Sequence, residues 1–141
     1  MSTPPAGGTL YVVSTPIGNL GDMTHRAVDT LARVAVVLCE DTRHSRALLD
    51  HYGITTPVAA LHEHNEARET PRVLARLAEG GEVALISDAG TPLLSDPGER
   101  LVQAAIEAGA TVVPIPGPSA LLAALVGGGL PTGVFTFVGF L

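Results

Sequence analysis

Residues 83–92 read VALISDAGTP and join an apolar run to a loop of small residues. Its first half, 83–87, is a short apolar run typical of a buried β-strand. The chain then changes abruptly to a loop of small residues, so that Asp88, Gly90 and Thr91 come directly after the strand. In parallel sheets, ligands bind beyond the carboxyl ends of the strands. The stretch therefore predicts both a buried strand and a place for a ligand.

The same alternation of apolar runs and amphipathic stretches continues on both sides. Strands are predicted at 10–14, 36–39, 58–61, 83–87 and 112–115, and helices at 24–34, 46–52, from the Thr70 cap onward, at 99–108 and at 118–126. This order predicts an α/β domain with a mostly parallel five-stranded sheet and helices on both faces. The helix at 118–126 is apolar all round, which predicts burial, and 134–141 resembles a sixth strand.

Composition excludes several classes of protein. The chain has 141 residues, of which 46% are hydrophobic, and a net charge of −6. It contains no Lys, which rules out a Walker A lysine, a Schiff-base lysine and a Ser–Lys pair. The negative charge disfavours sequence-independent binding to nucleic acid. Residues 108–141 carry neither charge nor His, but Pro and Gly interrupt them too often for a membrane span.

The remaining general features favour a cytoplasmic protein. The amino-terminal residues 1–8 read as a flexible start without the pattern of a secretory signal. The lone Cys39 fits a reducing compartment and is most simply a small core residue. No association with a membrane is expected.

Three loops after predicted strands carry the strongest signal for a ligand. They span 15–20, 87–92 and 116–120, and all are rich in Gly, Pro and small residues. Asp88 could accept a hydrogen bond from a ribose hydroxyl or an ammonium group, and the helix start at Ser119 could meet a carboxylate. Each loop alone is ordinary turn chemistry. Together at one edge of a sheet they predict a small-molecule pocket, although neither a dinucleotide nor a P-loop motif is present.

Two polar stretches follow the second and third strands. The first, 40–45 (EDTRHS), fits either a substrate rim or a helix cap. In the second, 62–66 (HEHNE), His62 and His64 face the same way on an extended chain and could share a metal. The spacing lacks the helical H-E-x-x-H signature, so no metal site is expected.

Five stretches in order resemble the amino-terminal domain of the ribosomal RNA small subunit methyltransferase I family, within the tetrapyrrole methylase superfamily. They are GTLYVVSTPIGNLGDMTHRAVDTL from residue 8, CEDTRHSRALLDHYGI from 39, HEHNE from 62, ALISDAGTPLLSDPG from 84 and VVPIPGPSALLAAL from 112. The resemblance covers residues 8–141. It implies an enzyme that uses S-adenosylmethionine to methylate the ribose 2′-hydroxyl of a cytidine in 16S ribosomal RNA, with the small ribosomal subunit as partner.

The resemblance also implies two α/β domains that enclose the cofactor, and a homodimer. Residues 9–130 would form the first domain and 131–141 the start of a second that is absent here, so the fragment alone is expected to be inactive. Carried over by motif, the cofactor contacts are Pro16, Ile17, Gly18, Asp88, Gly90, Thr91, Ser119 and Ala120. In this fragment Phe135, Phe137 and Phe140 are expected to be exposed or held in a dimer or domain-swapped contact.

The general base stays open at this point. A ribose hydroxyl needs a base within hydrogen-bond reach, and the candidates are Glu40, Asp41, His44, Glu63 and His64. Arg43 and Arg46 are the expected RNA contacts. Two alternatives remain: a methylase that acts on tetrapyrroles, and a ligand-binding module without catalysis.

Overall fold

The computed structural model describes residues 7–94 and 97–139, and strands alternate with helices throughout. The elements are β1 (Thr9–Val13), α1 (His25–Arg33), β2 (Val36–Cys39), α2 (Thr42–His51), β3 (Val58–Ala60), α3 (Glu66–Ala78), β4 (Glu82–Leu85), α4 (Glu99–Glu107), β5 (Thr111–Ile115) and α5 (Ala120–Gly127). A short 3-10 turn, Leu20–Asp22, lies between β1 and α1. The predicted α/β class and its five strands are confirmed.

The five strands form one parallel sheet in the order β3-β2-β4-β1-β5. β4 lies between β1 and β2, so β1 pairs with β4 on one side and with β5 on the other. This order puts the carboxyl ends of β4, β1 and β5 side by side. The chain leaves β1 toward one face of the sheet and leaves β4, its neighbour, toward the other. Sheets of this kind open a crevice for a ligand between two such strands.

Helices cover both faces of the sheet, as predicted. On one face α1 and α2 contribute Leu31 and Leu49 to a core with Val37 of β2. On the other face α3 and α4 contribute Leu77 and Leu101 to a second core. The central strands are buried from both sides, which explains why they read as continuous apolar runs rather than alternating ones.

Two helices begin earlier than the sequence pattern predicts. α2 starts at Thr42 rather than 46, because the Asp41 side chain accepts hydrogen bonds from the backbone N–H groups of Arg43 and His44. α3 starts at Glu66, so Thr70 is not its cap. The Thr70 hydroxyl instead donates to the backbone oxygen of Glu66 at 2.6 Å, inside the helix.

The start of α4 is completed by a residue from α3. Its cap position is Gly98, which has no side chain to accept a hydrogen bond. The buried carboxylate of Glu66 accepts from the backbone N–H of Leu101 at 3.0 Å instead. A negative charge at a helix amino terminus is favourable because it faces unpaired N–H groups. Glu66 therefore joins α3 to α4.

The apolar tail departs from the prediction. Every residue of α5 is at least partly exposed, so the helix is formed but not buried. Residues 131–139 contain no strand, which contradicts the predicted sixth strand over that range, while Phe140 and Leu141 lie outside the described residues. Phe135 and Phe137 are each 48% exposed, as expected. Among the described residues no helix is both long and apolar enough to cross a bilayer.

Candidate functional site

The three small-residue loops meet at one edge of the sheet. We call them the β1 loop (residues 14–20), the β4 loop (86–92) and the β5 loop (116–119). They adjoin because β4, β1 and β5 are neighbours in the sheet. The sequence predicted a shared edge from parallel topology alone, and the observed strand order makes the three loops contiguous.

Hydrogen bonds join the β1 and β4 loops. Thr15 and Gly90 exchange two backbone hydrogen bonds of 3.0 Å, forming an isolated antiparallel bridge above the parallel sheet. The Thr15 hydroxyl also donates to the backbone oxygen of Ser87 at 3.4 Å. Since both ends of this bridge are buried or nearly so, the two loops form one rigid wall.

A pair of hydroxyl groups connects this wall to the β5 loop. The side chains of Ser14 and Thr91 share a hydrogen bond of 3.1 Å, and the Thr91 hydroxyl reaches the backbone oxygen of Pro118 at 3.3 Å. A Cβ at Gly117 would lie 2.8 Å from that of Ser14, so only a glycine lets the β5 loop approach this closely. All three loops are thereby fixed relative to each other.

The first cavity at this edge measures about 190 Å³. Its lining includes five of the predicted cofactor residues, Ile17, Gly90, Thr91, Ser119 and Ala120, beside apolar neighbours such as Leu94 and Phe137. The Ser119 hydroxyl accepts from the backbone N–H of Leu122 at 3.3 Å and so caps α5. Small-molecule sites usually measure about 300–1,000 Å³. By this measure the cavity is smaller than a typical small-molecule site.

The second cavity, about 400 Å³, lies between the β1 loop and α2. The other three predicted cofactor residues, Pro16, Gly18 and Asp88, line it, together with Asn19, Leu20, His44, Ala47, Leu48 and His51. One carboxylate oxygen of Asp88 is buried and has no hydrogen-bond partner within the described residues. An orphaned carboxylate oxygen at a strand end is a ready acceptor for a ligand hydroxyl or ammonium.

His44 connects α2 to the β4 loop. Its Nε2 lies 2.8 Å from the backbone oxygen of Asp88. A carbonyl oxygen can accept but not donate, so Nε2 carries the hydrogen in this contact. The neutral imidazole then has its lone pair on Nδ1, which is the atom left to take up a proton.

The other four candidate bases lie in different surroundings. Asp41 uses its carboxylate to cap α2, and Glu40 is exposed at the end of β2. Glu63 and His64 pair with each other at 3.6 Å, with more than 80% of each side chain exposed. Glu63 lines another cavity, beside α4. Of the five candidates, His44 is the one that lines a cavity together with predicted cofactor residues.

The two predicted RNA contacts, Arg43 and Arg46, differ in exposure and in the hydrogen bonds that their side chains make. Arg46 donates to Asp50, to the backbone oxygen of Thr56 at 2.8 Å and to that of Ile54, so its guanidinium fixes the segment after α2. This structural role was not foreseen from the sequence. Arg43 is exposed at the first turn of α2 and lines a shallow groove with Arg46. Arg43 is thus the more exposed of the two guanidinium groups.

The His62 and His64 rings lie 5.9 Å apart, centre to centre, in an edge-to-face arrangement. No group of three or more metal-ligating side chains occurs in the parts of the chain that the structure describes.

Cys39 is fully buried at the end of β2. Burial raises the pKa of its thiol, and the nearby Asp88 and Asp41 carboxylates raise it further.

Sequence reasoning missed the residues that assemble the wall. Ser14, Thr15 and Ser87 stand at strand ends. The hydroxyl groups of Ser14 and Thr15 join the β1 loop to the β4 loop, and that of Ser87 donates to the backbone oxygen of Ala89 within the β4 loop. The signal was present as a run of small hydroxyl residues directly after two buried strands. The pattern can be interpreted only with the strand order, which brings the ends of β1 and β4 together.

Comparison with known proteins places this arrangement in context. Residues 9–141 match the family model described as tetrapyrrole (corrin/porphyrin) methylases. The ribosomal RNA small subunit methyltransferase I of Mesorhizobium japonicum is 60% identical over 97% of this chain and 47% of its own length. That of Xylella fastidiosa is 57% identical over 100% of this chain and 50% of its own. The chain thus spans about half the length of these curated relatives.

Solved structures agree in fold. A uroporphyrin-III-C-methyltransferase from Thermus thermophilus superposes with a TM-score of 0.64 at 29% identity, covering 88% of this chain and 53% of that one. The structure called diphthine synthase superposes with a TM-score of 0.61 at 15% identity, covering 85% of this chain and 49% of that one, a likeness of fold alone.

Proposed function

This chain belongs to the tetrapyrrole methylase family, and from that premise we propose that it is the cofactor-binding half of an S-adenosylmethionine-dependent methyltransferase. Its proposed substrate is the ribose 2′-hydroxyl of a cytidine in 16S ribosomal RNA, within the small ribosomal subunit. The observation that carries this choice of substrate is the 60% identity to a ribosomal RNA small subunit methyltransferase I across nearly the whole chain.

The residues present fit the cofactor at three points. The wall formed by Gly90 and Thr91 brings backbone close to the first cavity, Ala120 keeps the opposite side small, and the orphaned oxygen of Asp88 offers an acceptor nearby. When bound, S-adenosylmethionine supplies a methyl group on a positively charged sulfur. The predicted contacts Pro16, Ile17, Gly18, Asp88, Gly90, Thr91, Ser119 and Ala120 remain our proposal for this half of the site.

The chain's own contribution to catalysis is alignment and proton removal. Rigid loops hold the reacting groups in line, and alignment of this kind accounts for much of the acceleration in a displacement reaction. We assign proton removal to Nδ1 of His44, since the Asp88 carbonyl holds the opposite ring nitrogen in its protonated form. Arg43 is assigned to the RNA backbone because it is an exposed cation in the first turn of α2, directly before His44 in the chain.

Replacement of the candidate bases tests the assignment. In the full-length gene product His44→Ala should lower kcat by roughly 10²–10⁴-fold, a loss that saturating cofactor does not restore. His25→Ala, which removes an exposed imidazole at the start of α1, is the matched control and should retain activity. If His44→Ala stays fully active while Ala at 40, 41, 63 or 64 abolishes turnover, the base is the residue whose removal does so.

The reaction itself is tested with small ribosomal subunits from a strain that lacks the modification. The full-length protein and methyl-labelled cofactor should place label on one ribose of 16S RNA. Transfer to a uroporphyrinogen instead would favour the alternative that the protein methylates tetrapyrroles. The name of the Thermus thermophilus structure, a uroporphyrin-III-C-methyltransferase, makes that alternative specific. No transfer to either substrate would favour a non-catalytic ligand-binding module.

We propose further that a second domain completes the cofactor site and that the protein is a homodimer in the cytoplasm. The small volume of the first cavity and the longer length of the relatives support a second domain. The exposed apolar side chains of Val126, Phe135 and Phe137 support a covered surface in the full-length protein. Sedimentation of that protein should show a dimer; a monomer with these rings in solvent would contradict this.

A further inference from the structure

The second cavity has a wall that the cofactor contacts do not explain. Three side chains at positions i, i+4 and i+7 of α2, His44, Leu48 and His51, share one face of that helix and line the cavity. Opposite them stand Asn19 and Leu20 of the β1 loop. The wall therefore offers two flat imidazole rings and two apolar side chains across a gap.

The shape of this gap is fixed before any ligand enters. The Tyr52 hydroxyl at the end of α2 donates to the backbone oxygen of Leu20, which ties the helix to the β1 loop. The Tyr52 ring also packs edge-on against the His51 ring at 4.8 Å between centres. At the other end of the gap, His44 is held by the Asp88 carbonyl. Both ends of the α2 face are thus anchored to neighbouring loops.

We propose that this cavity receives the nucleobase of the nucleotide that is methylated, splayed out of its stack and held against His51 and Leu48. The inference rests on the proposed function, because it needs an RNA substrate. Proteins that read RNA by sequence take up unstacked bases on aromatic side chains, His included, and bond to their polar edges. A volume of about 400 Å³ suits such a group.

The position of the cavity supports the same occupant. It adjoins the first cavity through the β1 and β4 loops, whose residues line both. A base bound beside His51 would extend its ribose toward His44, two helical turns away on the same face. In this arrangement the base, the ribose and His44, the proposed proton acceptor, follow one another toward the methyl donor. The amide of Asn19, whose oxygen accepts from Gly21 at 2.9 Å, keeps its NH₂ group for the base edge.

Two substitutions in the full-length gene product test the pocket. Ala47→Phe would fill it from an exposed position of α2, and Ala75→Phe adds the same ring at an exposed position of α3. We expect Ala47→Phe to lower kcat/KM for unmodified small ribosomal subunits at least ten-fold, with cofactor affinity and thermal midpoint matching those of Ala75→Phe. His51→Ala should lower kcat/KM by about 5- to 160-fold, the range for loss of one stacked base, and His51→Phe should restore it.

The outcomes separate this inference from the proposed function. If the unsubstituted protein methylates subunits and Ala47→Phe does so equally well, the pocket is overturned and the function stands. If Ala47→Phe loses cofactor affinity in parallel with activity, the cavity belongs to the cofactor and the inference is overturned. A protein that methylates no subunit overturns the proposed function and the pocket together. If His51→Phe is as impaired as His51→Ala, stacking on position 51 is refuted.

Discussion

Gly90→Ala is the sharpest test of the wall between the β1 and β4 loops. Gly90 has a φ of 80°, in the left-handed region, and its backbone is bridged to Thr15. An added Cβ would lie 3.1 Å from Cγ2 of Ile17. The substitution therefore strains the backbone and pushes on a residue that lines the first cavity.

The expected cost has two parts. A left-handed alanine costs about 1–2 kcal/mol. Crowding of a packed contact costs about 1–3 kcal/mol, and the lower end applies because Ile17 is 37% exposed and can shift outward. The free energy of unfolding should therefore fall by about 2–3 kcal/mol. Because a displaced Ile17 and a new methyl group both enter a cavity of about 190 Å³, cofactor affinity should fall at least ten-fold.

Gly80→Ala is the matched control. Gly80 has a φ of 85°, and an added Cβ there would meet no atom within 4 Å. The free energy of unfolding of Gly80→Ala should fall only by the cost of the left-handed backbone, about 1–2 kcal/mol. Its cofactor affinity should be unchanged. Urea unfolding and calorimetric titration of the full-length protein measure both quantities. If Gly90→Ala binds S-adenosylmethionine as tightly as Gly80→Ala does, Gly90 does not line the cofactor site and the assignment of the wall fails.

Three further predictions concern stability and reactivity. Glu66→Ala should lower the free energy of unfolding by about 1–3 kcal/mol, since the N–H of Leu101 loses a charged acceptor, and hydrogen exchange at that amide should accelerate; an unchanged rate would contradict the cap. The raised pKa and burial of Cys39 should keep its thiol unreactive toward a disulfide reagent at pH 8 until the protein unfolds; rapid labelling of folded protein would refute this. Arg46→Ala should cost about 1–3 kcal/mol through the lost carbonyl contacts, and a urea midpoint equal to that of the unsubstituted protein would show that these contacts contribute nothing.

The fold was predictable because its signals are local. Thr24 caps α1 through a hydrogen bond to the N–H of Ala27, as its position before an apolar stripe indicated. The early starts of α2 and α3 were missed because polar residues fill their first turns, where no apolar periodicity marks a helix. The cap of α4 comes from Glu66, thirty-five positions earlier, and no local pattern shows such a partner.

The site was predictable at the level of loops but not of individual contacts. Parallel topology alone brought 15–20, 87–92 and 116–120 to one edge. Their division into two cavities depends on which way each side chain turns, as the adjacent residues Pro16 and Ile17 show by lining different ones. The exposure of α5 was missed because an all-apolar sequence predicts burial without saying against what.

The strand order has a consequence for how the chain acquires its structure during synthesis. β1 is made before the other four strands, yet both of its partners, β4 and β5, lie 73 or more positions later in the register that pairs Thr9 with Glu82 and Thr111. A nascent chain that has emerged only as far as β3 can pair β2 with β3, while β1 has no neighbouring strand to bond. Pairings this distant in sequence slow folding because a long loop must close before they form. β1 thus stays unpaired until β4 is made, and a translational pause before residue 82 would lengthen the time that the apolar β1 spends without a partner strand.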